Sequence, residues 1–118
     1  MNERAQPMAW ADLQAIPAFA VLTLGGRRWL LPQTEIRTLE SVLDIDREVR
    51  IPHSVGAVAF ADQWWPVYCL SGELQVLPQI PDERRACPLL TNGADRFGLI
   101  CERVDGLAKP PRLFALPV

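Results

Sequence analysis

The stretch GAVAFADQWWPVYCL, residues 56–70, decides the class of fold to which this chain belongs. Two short apolar runs, residues 57–60 and 65–70, stand on either side of a tight connection. Runs of this length that are rich in β-branched and aromatic residues and bounded by turn residues are typical of β-strands. The stretch therefore predicts a β-hairpin whose turn lies within residues 61–64.

Two further hairpins are predicted, one on each side of this stretch. Residues 19–24 and 27–32 are strand-like runs joined by a Gly-Gly pair, and glycine readily takes the positive φ of a tight turn. Residues 86–91 and 97–104 are joined around an Asn-Gly pair, which is the strongest short signal for a hairpin. Six or seven short strands separated by turns predict an all-β fold, either a barrel or a sandwich.

The composition supports this class of fold. A chain of 118 residues is long enough for one domain with a core of its own. It contains eleven prolines and seven glycines, and because a proline inside a helix costs about 3 kcal/mol, long helices are excluded. The residues predicted to form the core are Val21, Trp29, Leu31, Val58, Val67, Leu90, Leu99 and Ile100.

The chain divides into a polar lead, residues 1–17, and a β domain, residues 18–118. In the lead, Trp10 and Leu13 share a face at helical spacing, which predicts a short helix that ends before Pro17. Near the other terminus, the apolar residues 113–116 predict an additional edge strand.

The net charge bears on the class of partner, and the length of the apolar runs bears on the cellular compartment. Twelve basic residues against fourteen acidic ones give a net charge of −2, whereas a nucleic-acid-binding protein usually has a basic excess. No run approaches the roughly 18 apolar residues of a membrane span, and the first residues lack the apolar stretch of a secretory signal. We therefore expect a cytoplasmic protein that neither binds nucleic acid nor inserts into a membrane.

Catalytic and metal-binding residues do not assemble into a recognisable motif. The single histidine, His53, has Ser54 beside it but no nucleophile-turn sequence such as Gly-x-Ser-x-Gly. Zinc sites use about four ligands with pairs at short spacing, whereas Cys69, Cys87 and Cys101 lie far apart on predicted strands. The sequence therefore predicts no enzymatic activity, no metal and no cofactor, and three buried, reduced cysteines.

The paired tryptophans of the central hairpin are the predicted contact surface. Neighbouring side chains of a strand face opposite ways, so one indole is expected to point inward and the other outward, unless curvature of the sheet buries both. An exposed tryptophan on a rigid hairpin is a typical anchor of a protein interface. The predicted partner-binding residues are Asp62, Gln63, Trp64 and Trp65. Gly56 and Pro66 are predicted to shape the hairpin, with Pro66 near an edge or a bulge because it lacks an N–H.

Residues 56–70 also resemble the central signature of the CheW-like domain. In that family a Gly opens a strand, an Arg-Gly turn follows, and a Pro-Val-x-Asp-Leu strand closes the hairpin. The flanking segments also resemble those of the family. They are a hairpin with a Gly turn over residues 19–32, a short proline-bearing segment, Ile51-Pro52, that precedes Gly56, and the strand segment FGLI at residues 97–100. The resemblance spans residues 18–107.

This resemblance implies a fold of two small, SH3-like β-barrels that share a core. It also implies a non-enzymatic adaptor that couples chemoreceptors to a histidine kinase in a chemotaxis or pilus-type chemosensory system. The predicted partners are therefore the regulatory domain of a histidine kinase, a chemoreceptor, or both.

Three positions depart from the family's pattern. Ala61 stands where the family has its turn Arg, Asp62 where it has Gly, and Cys69 where it has the Asp of the closing strand. We therefore expect the hairpin to bind by apolar contact rather than through a salt link. The family's pattern also continues past residue 118 to a final strand, so we expect an incomplete barrel whose open edge pairs with a strand of a partner or of a second copy of the chain.

Two other functions stay open at this point. The first is a small β-barrel module that binds a peptide or nucleic acid, for which the pairs Arg27-Arg28 and Arg84-Arg85 are the candidate contacts. The second is a small hydrolase, although the sequence does not identify its nucleophile or its base.

Overall fold

The computed structural model describes residues 18–107, which form eight β-strands and two single-turn 3₁₀ helices, with no α-helix among them. The strands are β1 (Phe19–Leu24), β2 (Arg27–Pro32), β3 (Ile36–Ser41), β4 (Gly56–Phe60), β5 (Gln63–Cys69), β6 (Ala86–Asn92), β7 (Asp95–Ile100) and β8 (Arg103–Leu107). The 3₁₀ helices, Gln33–Glu35 and Val42–Asp44, flank β3. The predicted all-β fold is confirmed, whereas the predicted N-terminal helix and the strand over residues 113–116 lie outside the described residues.

All three predicted hairpins are present, but the strand predicted over residues 97–104 was wrong in its extent. It divides into β7, which ends at Ile100, and the beginning of β8, which pairs with β1 instead of continuing the hairpin. The turn between β1 and β2 consists of Gly25 and Gly26, and the turn between β4 and β5 consists of Ala61 and Asp62. Both residues of each turn have positive φ, from 53° to 83°, as a type I′ turn requires. The turn between β6 and β7 has Gly93 at its first central position, with φ of 65°. These turns match the twist of the strands that they join.

The strands form two sheets, one of three strands in the order β2-β1-β8 and one of five in the order β3-β6-β7-β5-β4. The larger sheet curls into a half-barrel. Its hairpins are joined by a parallel pairing of β5 with β7, in which Val67 lies opposite Gly98 and Cys69 opposite Ile100. This pairing places the β4–β5 hairpin next to β7, and thereby next to the side chains that β7 presents.

The core confirms most of the predicted interior and corrects one residue. Val21, Val58, Val67, Leu90 and Ile100 are buried, and Leu31 and Leu99 are half-buried. Trp29 was predicted to be buried, but it is 38% exposed. The reason is that β2 is an edge strand of the three-stranded sheet and has β1 as its neighbour on one side only in the described part of the chain. The homo-oligomer expected from an open sheet edge stays a prediction.

Truncation of a buried leucine should lower the free energy of unfolding more than truncation of an exposed leucine. Leu89 is fully buried in the cluster that also contains Val67 and Ile100, so Leu89→Ala is expected to lower the free energy of unfolding by about 2–5 kcal/mol. Leu43 is 89% exposed, and Leu43→Ala is the matched control, expected to change it by less than about 0.5 kcal/mol. Urea denaturation followed by tryptophan fluorescence measures both. Equal effects would contradict the assignment of the core.

The three cysteines are free and buried, as predicted. Burial raises the pKa of Cys87 and of Cys101 to about 12, and it raises the pKa of Cys69 against the opposing effect of the Arg84 charge. A thiol reacts as its thiolate, so a raised pKa and burial both slow its modification.

We therefore expect native labelling by a thiol reagent at pH 8 to be far slower than labelling in urea. Because the folded pKa values exceed the unfolded value of about 8.5, the stability that these thiols contribute is complete below that pH and is lost as the pH rises toward about 12. A urea midpoint that rises between pH 9 and pH 11, or rapid native labelling of all three thiols, would contradict this prediction.

Candidate functional site

The β4–β5 hairpin presents one tryptophan to solvent and buries the other. Trp64 lies opposite Ala59 and is 52% exposed, whereas Trp65 lies opposite Val58 and is 3% exposed. This is the alternation expected of a strand, because successive side chains point to opposite faces of the sheet. Curvature of the sheet does not bury both indoles.

Trp65 holds the hairpin in shape. Its Nε1 donates a hydrogen bond of 3.1 Å to the backbone oxygen of Phe60, and its ring packs edge-on against the Phe60 ring at 5.8 Å between centroids. Trp65 also belongs to the main hydrophobic core. Of the four residues predicted to bind a partner, Asp62, Gln63 and Trp64 are exposed, and Trp65 supports them from beneath.

Two arginines from other strands of the same sheet lie beside this hairpin. Arg96 on β7 donates a hydrogen bond to Oε1 of Gln63, and its guanidinium carbon lies 6.0 Å from the centre of the Trp65 ring. Arg96 and Arg37 on β3 line a cavity of about 300 Å³ that Ala61 and Gln63 also line. Residue 61 carries no charge, but the sheet brings two cations to its neighbourhood. The sequence held no signal for them, because β3 and β7 are distant from this hairpin in the chain and approach it only in the folded sheet.

The two residues predicted to shape the hairpin occupy special positions in it. Gly56 opens β4 with φ of +147°, and its backbone passes against the backbone oxygen of Asp46. Pro66 lies in β5, which is an interior strand, but β7 pairs only with Val67 to Cys69. Pro66 therefore stands in the part of β5 that has only β4 as a strand neighbour.

Arg84 is a buried residue that the sequence interpretation placed on the surface. It is 3% exposed, and its Nε lies 3.2 Å from Oε2 of Glu102. Its Nη1 donates hydrogen bonds to the backbone oxygens of Leu70 and Ile100, and it lies 3.7 Å from the sulfur of Cys69. The pair Arg84-Arg85 is therefore not an exposed contact for nucleic acid, as the sequence had allowed.

The same ion pair reaches the smaller sheet. Both carboxylate oxygens of Glu102 accept hydrogen bonds from the backbone N–H of Gly25, at 2.9 and 3.0 Å. Arg84 and Glu102 thus connect the β1–β2 turn with the ends of β5 and β7. This connection fixes the smaller sheet relative to the hairpin that carries Trp64.

The remaining polar candidates serve the backbone in the part of the chain that the structure describes. The Ser54 hydroxyl donates to the backbone oxygen of Ile51 at 2.7 Å and stabilises the turn that contains His53, whose φ is 67°. Residues 18–107 contain no group of three or more His, Cys, Asp or Glu side chains that could hold a metal ion. Among these residues, no helix is long and apolar enough to cross a membrane.

Comparison of the structure with solved structures identifies the fold, whereas comparison of the sequence does not. No protein-family model matches the chain, and no curated protein sequence matches it either. Among solved structures, the chain is similar to the scaffolding protein CheW from Thermoanaerobacter tengcongensis, with a TM-score of 0.61 and 16% sequence identity. The similarity covers 87% of this chain and 74% of the CheW chain. This chain therefore has a CheW-like fold, as the resemblance of residues 56–70 predicted.

Proposed function

We propose that this protein is a non-enzymatic cytoplasmic scaffold in a bacterial chemosensory system, where it binds the regulatory domain of a histidine kinase, a chemoreceptor, or both. The observation that carries the proposal is the exposed Trp64 on the central hairpin of a CheW-like fold. A scaffold acts by holding its partners at a high effective concentration and in a defined geometry, so its activity consists of binding.

The hairpin is suited to binding because its shape is set before a partner arrives. The turn residues Ala61 and Asp62 are already in the conformation that a type I′ turn needs. The hydrogen bond of Trp65 to Phe60 and the packing of its ring hold the strand that carries Trp64. A rigid aromatic side chain loses little conformational entropy on binding, which favours its use as an anchor.

Trp64→Ala is expected to weaken binding to these partners. Tryptophan anchors commonly contribute about 2 kcal/mol or more, so the dissociation constant should rise about thirtyfold. The measurement is titration calorimetry against a histidine-kinase regulatory domain and a receptor cytoplasmic tip from the same genome. Because Trp64 contributes through apolar contact, the ratio of the two dissociation constants should depend only weakly on salt concentration.

Trp29→Ala is the matched control, since Trp29 is also an exposed tryptophan on a strand but lies in the other sheet. It should bind as tightly as the wild type. Trp65→Ala is not informative here, because Trp65 is buried and its loss disturbs the fold. If Trp64→Ala stays folded and binds like the wild type, the contact surface lies elsewhere.

A further inference from the structure

A groove of about 840 Å³ lies at the open end of the β4–β5 hairpin, away from its turn. The connection between β3 and β4 forms one wall, and the connection between β5 and β6 forms the other. The hydrogen bond from Val55 N–H to the Val67 oxygen places the first wall beside the middle of β5. Trp64 is near the other end of the hairpin, so the groove is a separate surface.

The floor of the groove is apolar and held by the core. Val49, Ile51, Val55 and Ile80 line it, and each is half-buried. Val55 and Ile80 also pack against the main hydrophobic cluster, which fixes their positions. The groove therefore needs no rearrangement to accept an apolar side chain, and such largely preformed sites are typical of binding pockets.

The rim of the groove is positively charged. Arg47 and Arg50 line it, and no acidic residue lines it in the described part of the chain. Arg47 and Ile80 also line an adjoining depression of about 310 Å³, where Arg85 adds a third cation and Asp82 is the acidic residue. None of these three arginines has an ion-pair partner within residues 18–107.

The acidic residues of the neighbouring loop lie outside the lining of the groove. Asp46 and Glu48 flank Arg47 in the chain, but Oδ1 of Asp46 accepts a hydrogen bond from the backbone N–H of Glu48, and neither residue lines the groove. The charged side chains that line the groove are therefore both positive, in a chain whose net charge is −2. Unpaired, exposed guanidinium groups favour a ligand with carboxylates, which they bind through paired hydrogen bonds.

We propose that this groove is a second docking site, which binds a short acidic peptide segment of a partner protein with an apolar anchor residue between its acidic residues. The anchor covers the floor formed by Val49, Ile51 and Ile80, and the carboxylates pair with Arg47 and Arg50. A peptide fits better than single-stranded nucleic acid, because bases bind by stacking on aromatic side chains and the residues that line the groove include none. The site goes beyond the hairpin of the proposed function and is independent of it.

The test selects short random peptides displayed on phage against the immobilised chain, with counter-selection on the variant Arg47→Glu/Arg50→Glu. We expect enrichment of peptides in which acidic residues flank a large apolar residue. Calorimetry with an enriched peptide should show that the double variant weakens binding at least tenfold, and that Val49→Ser weakens it to a smaller extent. Binding should also weaken when NaCl is raised from about 0.05 M to about 0.5 M, because salt screens exposed charges.

The matched control is Arg27→Glu/Arg28→Glu, which makes the same change in net charge on the exposed strand β2 and should leave peptide binding unchanged. Trp64→Ala should leave it unchanged as well, so this test is separate from that of the hairpin. Far-ultraviolet circular dichroism and thermal unfolding establish that each variant is folded. Selection without acidic enrichment, equal loss in both double variants, or tighter binding of a single-stranded oligonucleotide at the same arginines would overturn the proposal.

Discussion

Arg84→Met is expected to lower the free energy of unfolding by about 3–5 kcal/mol, because removing one member of a buried ion pair leaves the other without its partner. Methionine fills much of the same space but donates no hydrogen bond. Glu102 then loses its partner, and the backbone oxygens of Leu70 and Ile100 lose their donor. A loss of this size is a large share of the roughly 5–15 kcal/mol that stabilises a typical domain.

The next residue in the chain provides the control. Arg85 is exposed, so Arg85→Met should change the free energy of unfolding by less than about 0.5 kcal/mol. Chemical denaturation of the two variants, analysed with a common slope, gives the difference directly. Equal stabilities for the two variants would mean that the guanidinium of Arg84 does not hold the two sheets together.

Gly56→Ala should lower the free energy of unfolding by a comparable amount, for a steric reason. At Gly56 a Cβ atom would lie 2.5 Å from the backbone oxygen of Asp46 and 2.8 Å from Cγ2 of Ile45. The φ of +147° adds backbone strain of about 1–3 kcal/mol for any residue with a Cβ. The overlap adds about another 1–3 kcal/mol, since a backbone oxygen cannot rotate away as a side chain can.

Gly93→Ala is the control that separates the effect of the steric overlap from the effect of the backbone strain. Gly93 also has a positive φ, but no atom lies within 4 Å of the position that its Cβ would take. This variant should lose only about 1–2 kcal/mol, the cost of a left-handed backbone. Thermal unfolding of both variants in the same buffer measures the difference. A Gly56→Ala protein as stable as Gly93→Ala would show that the contact with Asp46 relaxes without cost.

The hairpins could be predicted because the residues that specify each hairpin are close together in the chain. A turn of Gly25 and Gly26, or the Asn-Gly pair before Asp95, joins two strands that are adjacent in the chain, and the turn residues themselves set the geometry. The opposite orientations of Trp64 and Trp65 follow from the two-residue period of a strand. The residues predicted to contact a partner do lie on a hairpin, and Trp64 is the exposed one of its two tryptophans. Their role as a contact surface stays a prediction.

The exposure of Trp29 and the burial of Arg84 could not be predicted, because each depends on how strands are arranged in the sheets. Trp29 has the apolar character of a core residue, but β2 is at the edge of the three-stranded sheet. Arg84 stands in a polar, proline-bearing loop, and no local pattern distinguishes it from its exposed neighbour. Its burial depends on the ends of β5 and β7, which come together only in the folded chain.

Local sequence therefore determined the three hairpins, their turns and the opposite orientations of Trp64 and Trp65, because φ preferences and the two-residue period act between near neighbours. Only the tertiary structure decided the parallel pairing of β5 with β7 and the position of Arg96, which this pairing brings beside Gln63 and Trp65. It alone also decided that Glu102 bonds to Gly25, which lies 77 residues away. Such contacts depend on how complete hairpins and sheets pack against one another, and no repeating pattern of residues along the chain specifies that packing.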